Sequence, residues 1–126
     1  MSVRSARPST PPVLLAAVVL LAACEQGGSI LLVEVAGDLA LMPAQLSVAV
    51  TAGGIDHQPF RVPPTPTVIY LPTSFTVELD RSITGAVTIA IDALDGYGYV
   101  VASGATTQSH IASGGQTIIA VMLGAP

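Results

Sequence analysis

The fold is decided by the stretch Gly85-Ala86-Val87-Thr88-Ile89-Ala90-Ile91-Asp92, in which branched apolar residues alternate with small or polar ones. A period of two places successive side chains on opposite faces of a β-strand. We expect the branched residues to point into a core and the others to point away, because a shift by one residue would reverse every side chain. The inward set is Val87, Ile89 and Ile91, and the outward set is Ala86, Thr88 and Ala90.

The same alternation recurs along the chain, separated by turns rich in Gly, Pro and Asp. Short alternating runs of this kind are typical of an antiparallel β-sandwich. We therefore predict a single all-β sandwich of about seven or eight strands, preceded by a helical signal peptide. The strands are expected near 29–36, 44–51, 56–61, 67–71, 74–79, 85–92, 97–103 and 116–123, with 104–114 as a loop or weak edge strand.

The segment 59–72 is rich in proline. Proline has no backbone N–H, so within sheets it is confined to edges, strand starts and bulges. We expect this segment to be an edge strand or to carry the chain from one sheet to the other.

The N-terminal 23 residues have the organisation of a targeting segment. Arg4 and Arg7 precede an uninterrupted apolar run, Val13 to Ala23, of 11 residues. As a helix this run would rise roughly 16 Å, about half the hydrocarbon thickness of a bilayer, which suits a signal peptide better than a membrane span. We predict three parts: a signal peptide (1–23), a lipidated cysteine with a short tether (24–29), and the sandwich (30–126).

The apolar run ends in Leu21-Ala22-Ala23-Cys24, and Cys24 is the only cysteine of the chain. These four residues resemble the lipobox of bacterial lipoproteins: an aliphatic residue, two small residues and a lipidated cysteine. The resemblance implies that the signal peptidase recognises Leu21, Ala22 and Ala23 and cuts before Cys24. It also implies that the Cys24 thioether carries a diacylglycerol, with acyl chains such as palmitate, that anchors the protein to the cell envelope.

The leader has two other interpretations. The ordinary signal peptidase would also cut after small residues, and an uncleaved anchor would need a longer apolar run than this one. The residue after Cys24 is Glu25, not the aspartate that resembles the inner-membrane retention signal of enterobacterial lipoproteins. By that resemblance the outer membrane is favoured in a Gram-negative cell.

The mature part is similar to the small Ig-like, fibronectin type III-like or transthyretin-like sandwiches of bacterial surface lipoproteins, including many from myxobacteria. The stretches that carry this resemblance are Leu71 to Leu79, Val87 to Gly96, and the turn Gly114 to Thr117. The chain has no Trp and no second cysteine for a bridging disulfide. The resemblance therefore implies the architecture and not an immune-type binding role.

Charge excludes one class of partner. After removal of the leader, the arginines are Arg61 and Arg81, there is no lysine, and all eight carboxylates remain, which gives a net charge of −6. Because such a domain offers no basic surface to phosphate groups, nucleic acid is not expected as a partner.

No catalytic group is expected. His57, His110, Ser103 and Ser109 are the residues that suggest a hydrolase, but the sequence has no Gly-x-Ser-x-Gly turn to present a nucleophile. His57, beside Asp56, is expected at a solvated loop or strand end.

No cofactor and no zinc site are expected, because two distant histidines and one cysteine have no ligand spacing. Asp92 and Asp95 are a weak calcium candidate, against the alternative of a turn in which the aspartate accepts hydrogen bonds from its own backbone. Tyr97 and Tyr99 are expected on one face of a strand as sheet-packing residues, against the alternative of exposed contact residues.

The leading functional hypothesis is a lipid-anchored, non-enzymatic interaction or structural module of the cell envelope. The alternatives are a small-ligand or calcium-binding surface protein, with the ligand unknown, and an accessory subunit that binds an envelope protein partner.

Overall fold

The computed structural model describes residues 18–20, 28–38 and 40–126. Within these ranges the chain is all-β, as expected. The strands are β1 (Val18–Leu20), β2 (Ser29–Ala36), β3 (Gln45–Ala52), β4 (Ile55–Asp56), β5 (Phe60–Val62), β6 (Thr73–Leu79), β7 (Val87–Leu94), β8 (Val100–Gln108) and β9 (Gln116–Met122).

The strands form two sheets. Sheet A has the order β1-β6-β2-β9, and sheet B has the order β4-β3-β7-β8 with β5 also paired to β3. All pairs of sheet B are antiparallel, whereas β2 pairs in parallel with β9, and β1 in parallel with β6. Alternation specifies which side chains face inward but not strand direction, so the parallel pairs were not expected.

The core lies between the two sheets and consists of Val, Leu, Ile, Ala and one phenylalanine. In β7, Val87, Ile89 and Ile91 are at most 1% exposed, which confirms the expected register of this strand. An edge-to-face contact between Phe60 of β5 and Phe75 of β6, with ring centroids 6.3 Å apart, joins sheet B to sheet A.

A second link between the sheets forms beside β8, after β9 has ended. The Ser103 N–H donates to the Gly124 carbonyl at 3.0 Å, and the Gly124 N–H donates to the Ser103 carbonyl at 2.8 Å. Beside this bridge, a Cβ on Gly104 would overlap the carbonyl oxygen of Met122. Glycine is therefore needed at 104 for β8 to approach the backbone of β9.

The proline-rich segment carries the chain from β5 in sheet B to β6 in sheet A, as expected. The strand expected near 56–61 is divided into β4 and β5. The strand expected at 67–71 is absent, and this stretch is held instead by hydrogen bonds from Thr67 N–H to the Ala44 carbonyl and from Ile69 N–H to the Pro43 carbonyl.

Strand β8 runs from Val100 to Gln108, so the expected limits of 97–103 were wrong. Of the two alternatives for 104–114, an edge strand is confirmed at 104–108, and residues 109–114 lie outside any strand. Residues 104–108 pair with β7, where Ala105 lies opposite Ala90 and Thr107 opposite Thr88. This stretch lacks apolar alternation because β8 is an edge strand whose outward side chains contact solvent, and for that reason the sequence left both a loop and a weak edge strand open.

The expected helix of the signal peptide is wrong at Val18–Leu20, which form the strand β1. Without β1, strand β6 would be the edge of sheet A, with backbone N–H and C=O groups unpaired along one side. Two valines favour the extended conformation that such an edge accepts. The other residues of the expected helix lie outside the described residues.

Candidate functional site

The proposed lipidation site precedes the sandwich by a few residues. Leu21, Ala22, Ala23 and Cys24 lie outside the described residues. Ser29 already belongs to β2, is 1% exposed, and accepts a 2.9 Å hydrogen bond from the Gly114 N–H through its Oγ. The sandwich therefore begins five residues after Cys24, within roughly 18 Å of it even when the chain is fully extended.

An open groove of about 1070 Å³ lies at the end of sheet A where β2 and β9 end and β6 begins. Its other side is formed by the segment that crosses between the sheets, through residues such as Val68 and Tyr70. Sequence patterns give no signal for this groove, because it is assembled from three segments that are distant along the chain, 34–36, 63–74 and 120–122.

The lining of the groove is mainly apolar. Val68 is 53% exposed, Tyr70 71% and Met122 70%, so large apolar surfaces contact solvent here. Glu34 is the only carboxylate among the described lining residues. This combination suits a ligand or chain segment that is apolar and carries a hydrogen-bond donor, because a concave apolar surface with few polar groups is the usual form of a ligand site.

The two aspartates of the calcium candidate make separate contacts. Asp95 Oδ1 accepts hydrogen bonds from the N–H groups of Tyr97 at 2.8 Å and Tyr99 at 3.0 Å. Asp92 lies on β7 and accepts a 2.9 Å hydrogen bond from the Ser103 hydroxyl. The expected turn, in which the aspartate is bonded by its own backbone, is confirmed at Asp95.

The described residues contain no group of three His, Cys, Asp or Glu side chains arranged to hold a metal ion. Asp92 and Asp95 therefore have no third ligand of these types beside them in this part of the chain.

Tyr97 and Tyr99 do not lie on a strand, so the expectation that they pack on a sheet face is wrong. They belong to the turn between β7 and β8, where they are 89% and 71% exposed. The physical reason is the Asp95 carboxylate, which binds both of their backbone N–H groups and delays the start of β8 to Val100.

The residues that suggest a hydrolase are not brought together around a nucleophile. His57 follows β4 at one edge of sheet B, whereas His110 follows β8 at the opposite edge. Ser103 donates its hydroxyl proton to Asp92, and Ser109 is exposed beyond the end of β8. His57 lies at a strand end as expected, and its Nε2 is buried without a hydrogen-bond partner among the described residues.

No protein-family model, curated protein sequence or solved structure matches the chain. In the ranges that the structure describes, none of the secondary structure is a helix long and apolar enough to cross a bilayer.

Proposed function

We propose that this chain is the precursor of a bacterial lipoprotein whose sandwich domain acts at the cell envelope as a non-enzymatic interaction or structural module. The observation that carries the proposal is Leu21-Ala22-Ala23-Cys24 directly after an apolar run of 11 residues. For a Gram-negative cell the proposal favours the outer membrane, because Glu25 follows the cysteine in place of the aspartate of the inner-membrane retention signal.

The position of the sandwich supports the proposal. Ser29 begins a buried strand, so only residues 25–28 separate the lipidated cysteine from a rigid domain. Each buried methylene of an acyl chain contributes about 0.8 kcal/mol, and two or three chains suffice for durable anchoring. A short tether of this kind holds the domain close to the membrane surface.

Replacing Cys24 with alanine tests the anchor. The variant is expected to remain an uncleaved precursor without acyl groups, because the thioether that carries the lipid cannot form. Gel mobility and mass spectrometry of the membrane fraction measure both properties. The matched control is Gln26→Ala, two residues beyond the cut, which should mature like the wild type. A Cys24→Ala chain that matured to the normal size and stayed in carbonate-washed membranes would disprove the lipobox assignment.

A second candidate function is the binding of a small apolar ligand, and the groove beside Tyr70 favours it. The groove, with a volume of about 1070 Å³, is large enough to hold a drug-sized ligand. Three of its exposed residues, Val68, Tyr70 and Met122, are large and apolar. The ligand is expected to be neutral or cationic, because Glu34 would repel an anion.

Binding of a neutral fluorescent probe, N-phenyl-1-naphthylamine, tests this second function. Tyr70→Ser removes an aromatic ring from the groove and is expected to weaken probe binding by about tenfold, or about 1.4 kcal/mol. Tyr99→Ser is the matched control, since Tyr99 is 71% exposed like Tyr70 but does not line the groove. Equal probe titrations for the two variants would exclude the groove as the binding site.

A further inference from the structure

The edge of sheet A changes when the leader is removed, which is a consequence of the lipoprotein function proposed above. In the full chain, Val18, Val19 and Leu20 of β1 pair with Thr76, Val77 and Glu78 of β6. A cut before Cys24 removes β1. Within the described part of the chain, no other strand pairs with that side of β6. Among the described residues of the mature domain, no strand then lies along that side of Thr73–Leu79.

We propose that the β6 edge of the mature protein pairs with β6 of a second copy, so that sheet A continues across a twofold axis. An open edge carries unpaired N–H and C=O groups and is a template for another strand. Two identical edges complement each other in an antiparallel, twofold arrangement. The pairing of β1 with β6 shows that this edge accepts an extended strand.

The alternation of β6 sets the register of the pair. Phe75, Val77 and Leu79 are buried and face the core, so a second strand must present its own inward residues beside them. Of the registers that meet this condition, only the one centred on Thr76 pairs the whole strand. In it Thr76 lies opposite Thr76 of the second copy, and Phe75 lies opposite Val77.

The polar side chains of the edge agree with this register. Ser74 of one copy lies opposite Glu78 of the other, where its hydroxyl is placed to donate to the carboxylate. In the full chain, where Leu20 of β1 pairs with Glu78, the Oε1 atom of Glu78 is buried and has no hydrogen-bond partner among the described residues. The two Glu78 carboxylates are four strand positions apart, about 14 Å, so their repulsion is weak.

Membrane anchoring favours a second copy as the occupant over another protein. The twofold axis of an antiparallel pair is perpendicular to the sheet, so both copies begin β2 at the same height along that axis. Ser29 lies beside Leu79, which puts the two Ser29 residues roughly 25 Å apart in this register. Both short tethers therefore reach the same membrane surface, where anchoring also concentrates the copies.

Disulfide cross-linking in membranes tests the pairing with the full chain expressed in a Gram-negative bacterium. Directly opposite residues of antiparallel strands have Cα atoms about 4.5–5.5 Å apart, within disulfide range. Thr76→Cys should therefore give a dimer after oxidation with diamide, seen on a non-reducing gel. Ser74→Cys is the matched control on the same strand and face. Its two copies would be about 14 Å apart, so its dimer band should be at least about tenfold weaker.

The outcomes separate this inference from the function on which it rests. A wild-type chain of mature size should give no dimer, because lipid occupies Cys24. The β6 pairing alone is overturned if Thr76→Cys of mature size stays monomeric or links to a different protein. It is also overturned if Ser74→Cys gives as much dimer as Thr76→Cys. Chains that keep the precursor size and dimerise through Cys24 overturn the lipoprotein function, and the pairing with it.

Discussion

Replacing Ile89 with alanine will lower the free energy of unfolding by about 2–5 kcal/mol. Ile89 is fully buried in the middle of β7, the strand that pairs with both β3 and β8. The substitution removes apolar surface from the core and leaves a cavity that the two flanking strands cannot close. Since a small domain has about 5–15 kcal/mol of stability in total, this is a large share. Urea unfolding of a soluble form beginning at Glu25 measures it.

Thr88→Ala is the control for this prediction. Thr88 is on the opposite face of the same strand, where its hydroxyl is 2.9 Å from that of Thr107 in an exposed hydrogen bond. Loss of that bond should cost only about 0.5 kcal/mol, because water replaces the missing partner. Equal urea midpoints for the two variants would contradict the inward direction of Ile89.

Replacing Gly104 with alanine is expected to lower the free energy of unfolding by about 3 kcal/mol, the upper end of the usual range for overpacking. The added Cβ would overlap the Met122 carbonyl and lie 3.2 Å from Val121 Cγ1. A backbone carbonyl cannot rotate away as a side chain can, so β8 and β9 must separate. The Ser103–Gly124 bridge beside it would lengthen or break.

Gly96→Ala provides the comparison in the same unfolding experiment. Nothing lies within 4 Å of a Cβ at this position, so the change should stay within about 0.5 kcal/mol. The amide protons of Ser103 and Gly124, which form the bridge, should exchange faster with solvent in Gly104→Ala only. Normal stability and normal exchange at these two amides would show that β8 does not approach β9 as closely as described.

Sequence alone predicted the strands that are half buried and central, and it did so from side-chain alternation. Strand β7 is the clearest case, because one face contacts the core and the other does not. The strand predicted at 97–103 began before β8 does, and its continuation over 104–108 was predicted only as a loop or weak edge strand. An edge strand of Ser, Gly, Ala and Thr has no apolar face to mark it. The turn at Asp95 was expected as a local hydrogen-bonded motif, and it was found because its partners are within four residues.

Features that depend on distant segments were outside the reach of sequence patterns. The groove beside Tyr70 requires the ends of β2 and β9 to meet the segment that crosses between the sheets. The pairing of β1 with β6 requires an edge that is defined only once sheet A has its order. Neither the groove nor the pairing of β1 with β6 can be recognised from the spacing of residues along the chain. By contrast, the Leu21-Ala22-Ala23-Cys24 assignment is local, and its test is the maturation experiment.

The parallel pairing of β2 with β9 has a consequence for when the domain can fold. Strand β2 begins at Ser29, whereas its neighbour β9 begins only at Gln116. During synthesis, β2 therefore waits until residues 116–122 have been made before that one of its two sides is paired. Contacts of such long sequence separation form slowly and late. Sheet A can thus be completed only after β9 has been made.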